Sequence, residues 1–307
     1  MDTAPYGDPD TFIKLRDCSL PYWKIGRGPA LVFVHGWPLD SRTWRASVAA
    51  LKDSFTCHLI DLPRSGRSEW RDDTRIGVRA YGDILFEAVS QMDLDDRPFG
   101  LVGQNTGGSY ARLAAARVPE RITGLVLGNT EAPHRHSLFL RALFLLGKAP
   151  GLETILRTTL RMRLGRSSLL LMAGRHREHL HGPFTDLFIR PLVEDHARLK
   201  GAADILRAIR VTDFDILREA HGKIAAPVRL VWGPSDVWFT KRAAEHMLAE
   251  FAGQARLVPL HPGRLMIHEE HPHRFAEEVR DHFQARDAGA ASECKSTQDL
   301  GTQAERS

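Results

Sequence analysis

The sequence predicts an α/β fold: a mostly parallel sheet covered by helices on both faces and interrupted by a helical block. Two observations carry this. Short apolar runs alternate with amphipathic helical stretches up to about residue 133, and again beyond residue 223. Between His134 and Lys223 the alternation stops and only helical periodicity remains. Parallel strands, buried on both faces, read as continuous Val/Ile/Leu runs and need helical crossovers to connect them.

Taken in order, β-like stretches fall at Phe12–Ser19 and Pro21–Gly26, then at Ala30–His35 and Thr56–Leu62, with a helix at Thr43–Lys52. A helix at Arg79–Met92, the strand Phe99–Gly103, a helix at Gly107–Arg117 and the strand Ile122–Leu127 complete the first half. The middle block reads as helices at Leu138–Leu146, Leu152–Leu164 and Glu194–Ile209, broken at Pro150, Gly165 and Pro183. The strand Val228–Trp232, the helix Lys241–Phe251, the strand Ala255–Leu260 and the helix His271–Phe283 follow. The organisation expected is a core at residues 1–133 and 224–284, a helical cap at 134–223, and a disordered tail at 285–307, which is small and polar. A helical block inserted into a parallel sheet is placed to cover the carboxyl ends of the strands, where such sheets bind ligands.

Composition excludes several classes. No apolar run approaches the ~18 residues of a membrane span, and the first ten residues lack the basic start and apolar core of a secretory leader. Cys18, Cys57 and Cys294 are odd in number and widely spaced, which suits a reducing cytoplasm and gives no disulfide framework. The pI of about 9.1 reflects a net charge of only +4. The cap holds sixteen Lys and Arg against nine Asp and Glu, a local +7, so the rest nets −3. With no nucleic-acid motif beside it, that excess reads as solvated helix faces able to draw an anionic group. His176-x-x-His179-x-His181 and His268-Glu-Glu-His271-Pro-His273 lack the spacing that puts two ligands one helical turn apart, so no metal and no cofactor is expected.

Four segments carry the chemistry. Gly103-Gln-Asn-Thr-Gly107, between a strand and a helix, has the Gly-x-nucleophile-x-Gly form of a turn that lifts one side chain, here Asn105, above the sheet. His35-Gly-Trp-Pro38 follows an earlier strand, Asp61-Leu-Pro-Arg-Ser-Gly-Arg-Ser68 follows the next, and Trp232-Gly-Pro-Ser-Asp236 closes a late one. In this order and on these elements the chain resembles the α/β-hydrolase superfamily, and within it the epoxide hydrolase and haloalkane dehalogenase branch.

The resemblance implies an eight-stranded, mostly parallel sheet with an inserted cap, and a small, largely apolar organic substrate such as an epoxide, halide or ester. It implies an oxyanion hole formed by the N–H groups of Trp37 and Thr106, an acid at Asp236, and pocket positions at His35, Gln104, Asn129, Glu131 and Leu265. The family attacks with an Asp or Ser at the elbow, and a carboxamide at Asn105 is a poor nucleophile. The family's histidine falls on Leu265 in Pro262-Gly-Arg-Leu-Met-Ile-His268. Asn105, Asp236 and His268, three residues beyond Leu265, are therefore the catalytic candidates, with His261 a second choice for the displaced base. Two functions follow: an enzyme of non-standard hydrolytic or lyase/isomerase-type chemistry, or an inactive homologue that holds a small ligand. Neither reading calls for a nucleic-acid or membrane partner.

Overall fold

The computed structural model describes residues 6–94, 96–162, 174 and 182–284. The expected tail and the histidines at 176, 179 and 181 lie outside these residues. The sheet runs β1 (Thr11–Lys14), β2 (Cys18–Gly26), β4 (Thr56–Ile60), β3 (Ala30–Val34), β6 (Phe99–Gly103), β7 (Ile122–Gly128), β8 (Val228–Trp232) and β9 (Ala255–Pro259). From β4 onward the pairs are parallel, while β1–β2 and β2–β4 are antiparallel. The eight-strand path matches the sequence reading, and a two-residue strand, β5 (Glu69–Trp70), is added beside β2. The first turn falls at residues 15–17 rather than near residue 20, because Asp17 is drawn inward to bind Arg75.

Alternation along the strands sorts side chains into two cores. Val32, Val34, Leu101, Leu125 and Leu230 pack on one face of the sheet, and Leu31, Phe33, Val102, Val126 and Val231 on the other. Helices α1 (Arg45–Leu51), α2 (Val78–Val89) and α3 (Thr106–Ala115) serve the first half of the sheet. The cap supplies α4 (Leu138–Leu146), α5 (Leu152–Arg161), a π-helical turn at Thr185–Ile189, α6 (Arg190–Glu194) and α7 (His196–Ala208). The helix read at Glu194–Ile209 is α7, which starts after Asp195, whose carboxylate caps the N–H groups of Ala197 and Arg198. Next come α8 (Leu217–His221), α9 (Lys241–Met247), α10 (Ile267–Glu270) and α11 (residues 272–284). Among the described residues no helix is long and apolar enough to cross a membrane.

The cap is tied to the core by specific bonds. The Trp37 indole donates to Ala202 O at 2.9 Å, Arg42 to Leu187 O at 2.7 Å, and Ser137 to Trp238 O at 2.8 Å. Arg64 holds a left-handed backbone (φ 65°) and meets α7 where Gly201 leaves room for it. The Asp61 carboxylate fixes that loop by accepting from Ser41 N and Arg67 N, both at 2.8 Å.

The turn from β6 to α3 is closely packed. A Cβ on Gly107 would stand 2.3 Å from Val34 O, and one on Gly36 would stand 2.5 Å from the Asn105 Cβ. Gly107→Ala is therefore expected to lower the unfolding free energy by about 1–3 kcal/mol, the usual cost of overpacking. Gly222→Ala, with only Glu219 O at 3.6 Å, is the control and should change little. Urea unfolding of both variants compares the two costs.

Candidate active site

Asn105 caps the N-terminus of α3 with φ 53° and ψ −138°, a conformation that ordinary residues avoid and that functional turns retain. Asn129 O accepts from its backbone N–H at 2.8 Å, and its carbonyl takes the Gly108 N–H and the Thr130 hydroxyl. The side chain is engaged at both ends. Its Oδ1 accepts from Thr106 N at 2.5 Å, and its Nδ2 donates to Trp37 O at 3.3 Å. The Trp37 N–H in turn donates to Thr106 Oγ1 at 3.0 Å. Both N–H groups assigned by resemblance to an oxyanion hole thus meet acceptors of the chain itself.

Above Asn105 lies a cavity of about 220 Å³ between the strand ends and the cap. Asn105, Thr106, Trp37, Glu131 and Leu265 line its floor together with Trp238, Phe239 and Met266. The cap side is aliphatic and aromatic, from Leu140 and Phe144 on α4 to Ile205 and Leu206 on α7. Leu146 and Ile155 reach both the cavity and solvent. Their neighbours Leu138, Phe139 and Leu145 are exposed as well, giving α4 an apolar outer edge.

Asp236 ends the loop after β8 and is buried. Its Oδ1 accepts from Trp238 N and its Oδ2 from Asn129 Nδ2, both at 2.8 Å. Burial pushes its carboxyl up to about 7, with the Trp238 N–H and Asn129 opposing the shift. Asn129 does not line the cavity. It clips β7 to the Asp236 loop, donating to Gly233 O and accepting from Gly233 N. His35 and Gln104 are likewise structural. Leu62 N donates to His35 Nε2, which leaves the proton on Nδ1, directed at Gly36 O. Gln104 donates to Leu265 O at 2.9 Å and so fixes the loop that presents Leu265.

The displaced-base assignment of His268 is corrected by geometry. Leu265 and Met266 belong to the core on the cavity side, but Ile267 belongs to the other. In those three residues the chain crosses the sheet edge, and His268 lies under the opposite face. There its Nε2 is 2.6 Å from Thr43 Oγ1, and its ring packs on Trp44 at 4.7 Å between centroids. Spacing along a helix face does not apply, because α10 begins only at Ile267. His261 is exposed on the far side of the same loop and does not line the cavity.

One cluster escaped the sequence reading. Arg112, fully buried on α3, donates to Gly108 O, Ser109 Oγ, Thr130 Oγ1, Glu131 O and His221 Nε2. Because arginine only donates, His221 carries its proton on Nδ1, which faces Glu250 at 2.9 Å. Burial pushes His221 down to about 4 and Arg112 down to about 10. The available signal was an arginine four residues after Gly108, on the small-residue side of α3. Among the described residues no group of three or more candidate metal ligands comes together.

The sheet order, the strained elbow and the capped cavity define the class: the chain has the α/β-hydrolase fold. The family model for the alpha/beta hydrolase fold matches residues 29–162. Over 267 residues the chain is 26% identical to haloalkane dehalogenase 2 of Mycobacterium tuberculosis (strain ATCC 25618 / H37Rv), covering 85% of this chain and 90% of that protein. It is 37% identical over 109 residues to the pimeloyl-[acyl-carrier protein] methyl ester esterase of Klebsiella pneumoniae (strain 342), 34% of this chain and 38% of that protein. The crystal structure of an ancestral haloalkane dehalogenase superposes with a TM-score of 0.70 at 21% identity, over 90% of this chain and 99% of that one.

The raised Asp236 carboxyl has a consequence for stability. A folded-state value near 7 against 3.8 for the free group favours the native state while the proton is bound, and that advantage is lost as pH rises through 7. The stability of Asp236→Asn relative to wild type should therefore increase by roughly 1 kcal/mol per pH unit between pH 5 and 7, then level off. Urea unfolding at stepped pH reads this difference, and a flat difference contradicts it.

Proposed function

We propose that this chain binds a small, largely apolar organic molecule in the capped cavity and does not hydrolyse it by the covalent route of its relatives. The observation that carries this reading is the floor of the cavity: a carboxamide stands at the elbow and a leucine where the base would stand. Asn105 offers no anionic oxygen for attack, and its amide is held by Trp37 O and Thr106 N. Leu265 cannot move a proton, and no histidine lines the described cavity. The N–H groups of Trp37 and Thr106 are engaged by Thr106 Oγ1 and Asn105 Oδ1, so a developing oxyanion would have to displace both. Asp236, with Asn129 and Trp238 as partners, has no imidazole to orient. Its elevated pKa suits a carboxyl retained for the loop.

The cavity supports the ligand class. At about 220 Å³ it lies below the ~300–1,000 Å³ common for drug-sized ligands, and its wall is almost wholly apolar. A second reading, turnover by non-standard chemistry, is favoured by one observation: Glu131 brings an ionisable carboxyl to the wall of the same cavity as Asn105.

The test compares wild type, Asn105→Asp, Leu265→His and the double variant on haloalkanes, epoxides and esters. Wild type should be silent on all three, while the double variant gains measurable hydrolysis of at least one. Wild-type turnover that Asp236→Ala abolishes would overturn the binding reading.

A further inference from the structure

Glu131 follows β7 at the edge of the cavity and is the sole ionisable side chain among the described residues that line it. Its residue is almost fully buried. The Ser109 hydroxyl donates to Oε2 at 2.6 Å, and the Thr130 hydroxyl lies 3.1 Å from the same oxygen but nearer, at 2.7 Å, to Asn105 O. Its own backbone N–H also donates to the carboxyl, and the buried Arg112 guanidinium lies nearby. A buried carboxyl is costly as an anion unless donors or a cation meet it, and this one lines the cavity, where a donor carried by a ligand can meet it.

The rest of the wall decides what that partner is. Among the described residues it carries no Lys, Arg or His, and the two backbone N–H groups near the elbow are already engaged. An anionic terminus would find no donor and would face a carboxyl. The basic excess of the cap does not change this, since exposed charges are screened over about 8–10 Å at ordinary ionic strength while a buried pair is not. Trp37, Trp238 and Phe144 add aromatic rings to the same wall, and ring faces attract cations.

We propose that the cavity takes a small aliphatic or arylalkyl primary amine, with its nitrogen docked on the Glu131 carboxyl and its apolar body beneath the cap. The assignment rests on the binding reading above and narrows its ligand class. Burial raises the Glu131 pKa, while hydrogen bonding from Ser109 and Thr130 and the nearby Arg112 lower it. Whichever partner brings the proton, the product is the same ion pair: an ammonium donating to a carboxylate. An alkyl amine is more basic than a carboxylate by about 6 pKa units in water, so the proton resides on nitrogen.

The experiment titrates hexylamine, hexanol and hexanoate into wild type and Glu131→Gln by calorimetry at neutral pH. Hexylamine should bind wild type at least about tenfold more tightly than hexanol, the scale of one charge-assisted hydrogen bond, and hexanoate should bind weakest. Glu131→Gln should erase the amine's advantage while leaving hexanol within about twofold, since its chain meets only apolar wall. Hexanol or hexanoate matching the amine in wild type overturns the amine assignment alone, as does unchanged amine affinity in a folded Glu131→Gln. If none of the three binds wild type, the assignment and the binding reading fall together. The wild-type ranking decides the matter even where the variant does not fold.

Discussion

The close approach of β3, β6 and α3 beneath Asn105 is the constraint on which the rest of the site depends. Carbonyl oxygens of Val34 and His35 come so near Gly107 that a single added carbon would collide with them, and Gly108 stands equally close to Gly103 and Thr130. Only that packing holds Asn105 at a positive φ, and only that φ turns its side chain out above the strand ends. Beside it, the Thr106 N–H donates to Asn105 Oδ1 and the Trp37 N–H to Thr106 Oγ1 in one small volume. The shape of this turn comes from backbone contacts and glycines and not from the side chain it displays.

The proposed function turns on what fills that volume. Asn105 and Thr106 satisfy each other and Trp37 through side-chain oxygens, so the polar groups that would receive an anion already have partners. Asp236 is held by Asn129 and by the Trp238 N–H, a pairing that satisfies the carboxyl without an imidazole. Beneath the elbow, Arg112 gathers the carbonyls of Gly108 and Glu131 and the hydroxyls of Ser109 and Thr130, with His221 and Glu250 completing the chain towards the surface. A fully connected buried network fixes one arrangement of α3 against β7 and α8.

The cap turns this floor into an enclosed site. Its inner side chains are apolar, and the hydrogen bonds from Trp37, Arg42 and Ser137 lock it to the core at three separate points. Among the described residues that line the cavity there is no Lys, Arg or His. The result is an apolar chamber with one carboxyl on its wall, an electrostatic character opposite to that of the segment covering it.

The sequence by itself determined the sheet, the inserted helical block and the elbow at Asn105, because each is written in local periodicity or in glycines at fixed spacing, while the loop at Trp37 and the position of Asp236 followed from the resemblance to α/β hydrolases. Register of apolar runs is short-range information, and so is a turn that only glycine permits. Tertiary structure alone decided which polar groups meet. His268 looked close to the site because it is three residues from Leu265, yet the chain crosses the sheet edge between them and the imidazole belongs to the other core. Asn129 read as a pocket residue but turns onto the Asp236 loop, and Arg112, His221 and Glu250 gave no sign of one another across more than a hundred positions. Contacts of that range depend on how helices and loops dock around the sheet, and docking is set by the packing of the whole chain.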